Sequence, residues 1–410
     1  MNQSEQLPAR THKPDYILAI AVIVLLVVGL VVMYSISPIL SYKQLGDVES
    51  NRFFGKQALV ALGGISALVL MSYIRYDRWR RRGQWVLLAA GVMTVALLVP
   101  GLSQHTNGAT RWLNLGPLSI QPAEVLKLGI VLYLALWLER RKDELKSLAD
   151  GIMPFLIMTG VIGFAVVVMQ RDMGTMLVLG AVMLGMYFVA GMRRRHLLVV
   201  LATAGAAGWL AITMFPHRME RVVTFLNPRC DDPTYALNDS HHICQALLGV
   251  GSGGFFGVGL GHSIQVYGYL PEAANDSIFS VVAEEFGLVG ASLIVVLFMV
   301  VAWRSFAIAR WAPDIFGRLV SVGIGLWLVT QAVVNIGAML ALVPLTGIPL
   351  PFISFGGTNL LVSLVAVGIL LNISKYTVRE GSHESGSERR RVGRAHNASA
   401  GRVRRLTIAP

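Results

Sequence analysis

The chain has 410 residues, of which 54% are apolar and 14% charged, with 42 glycines and two cysteines. A soluble protein carries roughly 25% charged residues, so a water-soluble globule of this length is excluded, as are a disulfide scaffold and general disorder. Lys and Arg number 35 against 23 Asp and Glu, a formal charge of +12 whose meaning depends on where the basic residues fall.

A helix crossing the hydrocarbon core needs about 20 mostly apolar residues. Ten such runs are predicted, at 16–36, 57–74, 85–101, 122–138, 152–169, 173–191, 196–215, 278–303, 318–343 and 358–374. The first is too long for a signal-peptide core, and no small-residue cleavage site follows it, so it is read as retained. Ten spans put both termini on one side. The connections on that side hold Arg75, Arg78 and Arg80 to Arg82, then Arg140, Arg141, Lys142 and Lys146, then Arg193 to Arg195, then Arg304, Arg310 and Arg318. With the termini this face carries 26 of the 35 basic residues and the other face 8, and Lys127 lies inside a span. The positive-inside rule makes the basic face cytoplasmic. The expected layout is a cytoplasmic N-terminus over 1–15, a membrane domain over 16–374 and a basic cytoplasmic tail over 375–410.

The exported side has the elaborate loops, at 35–56, 102–121, 216–277 and 344–357, and elaborate loops are where chemistry is expected. No internal repeat of the transporter kind is visible. The tail, with Arg379, Arg389 to Arg391, Arg394, Arg402, Arg404 and Arg405, reads as a segment drawn to anionic lipid headgroups or as a docking site for a cytoplasmic partner. Nucleic acid is not expected, because no aromatic interleaving or folded module accompanies the charge.

Ionisable residues in spans are expensive and point to function. Glu124 and Lys127, at i and i+3, share a helix face and can pair, either as a structural ion pair or as the charged wall of a cavity where Lys127 meets a phosphate. Asp172, in the short connection Gln170-Arg171-Asp172, reads as an N-cap or as part of an anion-facing helix start. Asp276, just before the apolar run from Ile278, reads as an N-cap or as a general base whose pKa is raised at a partly desolvated mouth. Glu284 and Glu285 lie about two turns inside that span and point in different directions, so at least one is expected to face protein or a cavity. The run Gly249-Val250-Gly251-Ser252-Gly253-Gly254, followed by Gly257, Gly259 and Gly261, lacks a P-loop lysine and reads as a re-entrant or interfacial loop. The Pro-broken stretch 344–357 must be buried in protein or line a cavity. His241 and His242 are adjacent, which suits a shared metal poorly. Cys230 and Cys244 form a disulfide if the exported space is oxidising, and are otherwise two free thiols.

Seven motifs in order resemble the SEDS family (shape, elongation, division and sporulation), the membrane glycosyltransferases FtsW, RodA and SpoVE. They are Gly108-Ala109-Thr110-Arg111-Trp112-Leu113; Gln121-Pro122-Ala123-Glu124 with Lys127; Gln170 with Asp172-Met173-Gly174-Thr175; and Gly251-Ser252-Gly253-Gly254 with Gly257 to Gly261. Then come Leu270-Pro271-Glu272 with Asp276 and Ile278-Phe279; Ala283-Glu284-Glu285; and Asn335-Ile336-Gly337 with the 344–357 run. The resemblance implies an all-α, ten-helix membrane bundle with a large exported loop between helices 7 and 8. It implies polymerisation of lipid II into peptidoglycan glycan strands, with a class B penicillin-binding protein, other divisome membrane proteins and membrane lipid as partners. It also implies a divalent cation, Mg²⁺ or Mn²⁺, with no nucleotide or organic cofactor. The family's essential aspartate maps to Asp276, its intramembrane pair to Glu124 and Lys127, and its other cavity aspartate to Asp172. The wording Gly257-Val258-Gly259-Leu260-Gly261 and the extended termini are more similar to the division member than to the elongation member. Three positions depart from the pattern: Arg171 stands for Pro, Lys56 for Arg, and Thr358-Asn359 for a pair of serines.

The expected chemistry has Asp276 as base, with Lys127, Arg111 and Lys56 meeting the pyrophosphate. Asp172 and Glu124 orient those cations or hold the metal, and Glu272 joins the substrate-binding set. A lipid II flippase or other transporter, an elongation-type polymerase and a non-catalytic scaffold are the rival readings.

Overall fold

The computed structural model describes residues 12–45, 51–99, 101–106, 109–116, 118–228, 230 and 239–377. The N-terminal residues 1–11, Gly108 and the basic tail from Val378 lie outside the described residues. The described chain is mostly helical: α1 (Tyr16–Leu45), α2 (Arg52–Tyr73), α3 (Asp77–Ala96), α4 (Pro122–Arg140), α5 (Met153–Gly163), α6 (Met173–Val189), α7 (Arg194–Thr213), α8 (Pro216–Leu226), α9 (Asp239–Ser252), α10 (Ile278–Arg310), α11 (Ile315–Met339) and α12 (Gly357–Ser374). Turns of π-helix at Leu148–Ile152 and Phe164–Met169 extend α5 at both ends.

A helical segment occupies each of the ten predicted ranges. Among the described residues, seven are long and apolar enough to cross a membrane. The other three differ for visible reasons. The helix α6 has 17 residues, α3 opens on Arg78 and Arg80 to Arg82, and α4 carries Glu124, Lys127, Glu139 and Arg140. The bundle is built around α4, α11 and α12. The spanning windows of α11 and α12 are 72% and 83% buried, against 11% for the peripheral α7. On the basic side, Arg80 bridges Glu139 at 3.0 Å and Asp314 at 2.6 Å, and Arg304 pairs with Asp15.

The all-α expectation needs one correction. Three strands, β1 (Ser103–Thr106), β2 (Ala109–Leu115) and β3 (Leu118–Ile120), form an antiparallel sheet in the order β1-β2-β3. Strand side chains alternate between faces, so Arg111 and Leu113 share one. Leu113 is buried and Arg111 half-buried, so the sheet turns Arg111 towards the bundle. The large loop 216–277 is itself partly helical, holding α8 and α9. Cys230 and Cys244 are joined by a disulfide that ties the segment after α8 to α9.

The glycine run packs on a break in α10. Gly287 has φ 66° and ψ −164°, so the helix is interrupted there. The break frees backbone groups at membrane depth, which must be satisfied inside the protein. Val258 and Gly259 donate to the carbonyls of Glu284 and Glu285 at 2.9 and 3.2 Å, and Leu288 and Val289 donate to those of Gly254 and Phe255 at 2.9 and 3.2 Å. This near contact of two backbones leaves no room for side chains. A Cβ on Gly253 would lie 1.9 Å from the Ala283 carbonyl oxygen, and one on Gly257 2.0 Å from that of Glu285. Glu284 accepts from the Ser263 hydroxyl and the Ile264 amide, and Glu285 from Ser35 and Gly261, so both glutamates tie the loop down.

Gly253→Ala should therefore destabilise the protein by about 1–3 kcal/mol or more, the usual range for overpacking. Gly251→Ala, where nothing lies within 4 Å, should be near neutral. Thermal unfolding of the two variants in detergent distinguishes them.

Candidate functional site

Two polar constellations lie at the end of the bundle where the 344–357 stretch packs, joined by α11. The first is buried. Lys127 Nζ lies 2.9 Å from each oxygen of Glu124, with a hydrogen bond to Oε1, and donates to Gln331 Oε1 at 2.6 Å. The Trp327 indole donates to the same Gln331 oxygen at 2.8 Å, and Lys127 lies 5.2 Å from the centre of its ring. Gln331 Nε2 donates to Pro349 O at 2.8 Å and to Asn359 Oδ1 at 3.2 Å. Lys127 and Glu124 are each 1% exposed, so the pair predicted from i, i+3 spacing is neutralised inside the protein.

The second constellation surrounds Gly347. An ideal Cβ on this residue would lie 3.6 Å from Asp276 Oδ2 and 3.8 Å from Arg111 Nη1. With φ at 68°, Gly347 takes a conformation that L side chains rarely adopt, and its bare backbone lets carboxylate and guanidinium both approach. Arg111 donates to the Arg171 carbonyl at 2.8 Å, and Arg221 donates to the Leu345 carbonyl at 3.4 Å. Three buried atoms of Asp276, Arg111 and Thr346, the residue before Gly347, have no hydrogen-bond partner among the described residues: Asp276 Oδ1, Arg111 Nε and Thr346 Oγ1. One acceptor and two donors with unused capacity suit a polar, anionic ligand.

Asp276 does not cap α10. The cap position is Ser277, without a side-chain capping bond. Burial pushes the Asp276 carboxyl up to about 7; Glu272 adds to the rise, and Arg221 and Arg111 oppose it. Asp172 does act as a cap: its oxygens accept from the Thr175 amide and hydroxyl, each at 2.9 Å. It thereby sets the start of α6, where Gly174 packs against Thr346 and Ile348. Glu272 is exposed, has φ 49° and accepts from Asn275 at 2.5 Å. Lys56 is exposed on α2, and its neighbour Gln57 is the residue that reaches the 344–357 loop, at Ser354 O, 3.1 Å. His241 and His242 bind separate partners, Tyr269 O and Ser277 Oγ. Among the described residues, no three His, Cys, Asp or Glu side chains come together to hold a metal.

Sequence reasoning missed Gln331, Arg218, Arg221 and Thr346. Gln331 had a signal, a polar residue inside an apolar run one turn before Asn335. Arg218 and Arg221 sit at i and i+3 on a helix the sequence showed only as loop. Arg218 is buried, donating to the carbonyls of Val167 and Ala211 at 2.7 and 3.2 Å. Burial and the charges of Arg171 and Arg111 push its guanidinium below the usual arginine value.

Comparison with known proteins adds a consistent result. The profile of the FtsW/RodA/SpoVE family, described as "Cell cycle protein", matches residues 16–379. The chain is 38% identical to stage V sporulation protein E of Bacillus subtilis (strain 168) over 368 residues, 89% of this chain and 98% of that one. It is 34% identical to the "Probable peptidoglycan glycosyltransferase FtsW" of Thioalkalivibrio sp. (strain K90mix) over 394 residues, 95% and 97% of the two chains. Among solved structures, it is similar to a chain of a peptidoglycan synthase complex described as coordinating polymerization and crosslinking. The TM-score there is 0.70 at 28% identity, covering 88% of this chain and 97% of the other. It is also similar to rod shape determining protein RodA of Thermus thermophilus, with a TM-score of 0.62 at 26% identity, covering 90% and 98%.

The buried pair gives a stability test. Lys127→Met leaves Glu124 buried and unpaired and should destabilise by about 3–5 kcal/mol. Adding Glu124→Gln should recover most of that loss. Denaturation of the two variants in detergent reads both effects.

Proposed function

The chain belongs to the FtsW/RodA/SpoVE family of cell cycle proteins, and on that premise we propose that it is a peptidoglycan glycosyltransferase polymerising lipid II. The observation that carries this reading is Asp276, a carboxylate raised to about 7, which shares the space around Gly347 with Arg111. A general base works best when its pKa lies near the operating pH.

In the reaction, an acceptor sugar hydroxyl attacks the anomeric carbon of the lipid-linked donor. Asp276 takes the hydroxyl proton as the new C–O bond forms. The bond from the anomeric carbon to the diphosphate breaks, and the lipid diphosphate leaves. Negative charge grows on the leaving group, and Arg111 is placed to receive it. Lys127 is already held by Glu124 and Gln331, so its role is to hold α4 to α11 beneath the site. Among the described residues, no cluster of carboxylates, histidines or cysteines fits a resident metal held by protein ligands alone. The Mg²⁺ or Mn²⁺ of the family reading would arrive with the substrate's diphosphate, which needs only one or two carboxylates from the protein.

The protein is a multi-pass membrane protein. The finer topology we infer is ten spans, both termini cytoplasmic and the 216–277 loop exported, at the division septum. The peptidoglycan synthase complex of the similar structure supports a class B penicillin-binding protein as partner.

The test is polymerisation of labelled lipid II by the full chain reconstituted with its transpeptidase partner. Asp276→Asn should lose at least about 10²-fold in rate, the lower range for a general base. Wild type that moves lipid II between leaflets but makes no polymer would establish the transport reading instead. The rate should also follow the ionisation of Asp276. It rises with pH through about 7, because only the deprotonated carboxylate accepts a proton. Glu272→Gln removes a like charge that favours protonation, so the limb should move to lower pH.

A further inference from the structure

Asp276 sits in a turn, outside any helix that would hold it. Its position is set by two side chains from other elements. From α11, Asn335 Nδ2 donates to the Asp276 carbonyl at 2.6 Å and to the Ile348 carbonyl at 2.7 Å. Two carbonyl acceptors require the NH₂ end of the amide, so its orientation is dictated by its partners. Asn335 is 1% exposed, and one amide thus joins the residue carrying the carboxylate to the neighbour of Gly347.

From α9 comes a second hold. Ser277 Oγ donates its single proton to the Pro271 carbonyl at 2.8 Å. His242 Nε2 lies 2.6 Å from that hydroxyl oxygen and must therefore be the donor in this contact. The Cys230–Cys244 disulfide anchors α9 two residues beyond His242. The peptide carrying Asp276 is gripped at its own carbonyl and at the next side chain.

We propose that Asn335 and His242 are positioning residues for Asp276, the first fixing its carbonyl against the 344–357 loop and the second fixing Ser277 against α9. The inference rests on the glycosyl-transfer reading with Asp276 as base. It gives a role to the Asn335-Ile336-Gly337 motif and to a histidine pair poorly suited to metal binding. Neither side chain needs to touch substrate. Each acts through the placement of the carboxylate, where a shift of about 1 Å can cost on the order of 10²-fold in rate.

The experiment measures kcat and KM for labelled lipid II on the full chain reconstituted with its transpeptidase partner, with an unfolding midpoint for each variant. His242→Leu should lower kcat by about 10- to 100-fold while KM stays within about twofold, as expected for loss of alignment. His242→Gln keeps an N–H for Ser277 and should stay within about threefold of wild type. Asn335→Asp, which sets a carboxylate against two carbonyls, should lose kcat on the order of 100-fold. The proposal is overturned if His242→Leu matches wild type, if Gln falls as far as Leu, or if KM rises in step with the loss of kcat. Should Asn335→Asp fail to accumulate, the His242 pair decides alone. The two readings fail separately: an active Asp276→Asn sinks the general base, whereas a wild-type rate for His242→Leu beside an inactive Asp276→Asn sinks only the positioning.

Discussion

In a bundle surrounded by hydrocarbon, every buried charge and every freed backbone group must find its partner inside the protein. Where the 344–357 stretch packs on the bundle, α11 supplies several of those partners through two amides one turn apart. Gln331 accepts from Lys127 and Trp327 and donates to Pro349 and Asn359. Asn335 donates to Asp276 and Ile348. At i and i+4 the two share a helix face, so a single rigid element addresses both the ion pair below and the candidate site above. The irregular 344–357 stretch can lie at membrane depth because its carbonyls are answered from this face, and from Gln57 on α2.

The same constraint explains the glycines and the broken helix. Interrupting α10 at Gly287 exposes carbonyls and amides, and the chain from Gly254 to Gly259 is brought close enough to pair with them. That approach is closed to any residue with a Cβ at Gly253 or Gly257. The clamped loop then leads through Ser263 and Ile264, both bonded to Glu284, into the segment that carries Asp276. Two glutamates deep in a span are thus accounted for as anchors of the loop.

The helical ranges were legible in the sequence because membrane-length apolar runs are a strong signal that requires no knowledge of neighbours. The sheet was not, since three short strands between 103 and 120 give weak alternation. The spacing of Glu124 and Lys127 was enough to pair them, but the depth of the pair was not readable: spacing reports which residues share a face, and burial depends on what packs against it. Lys56 and Gln57 illustrate the same limit, since adjacent helical residues point in different directions, and the polar neutral one reaches the loop. The disulfide was open on sequence alone and is closed in the fold.

By itself the sequence determined a basic-sided, helical membrane chain, the ten apolar ranges, and a short set of carboxylates and cations worth attention. These follow from composition and local periodicity, which act over a few turns. Only the tertiary structure decided which of them meet. It brought both Asp276 and Arg111 within 4 Å of where a Gly347 Cβ would stand, set Arg218 within electrostatic reach of Arg171 and Arg111, and put Lys127 out of reach of solvent. Those outcomes depend on contacts between residues tens to hundreds of positions apart, which the packing of α11 and the 344–357 loop creates and no local pattern encodes.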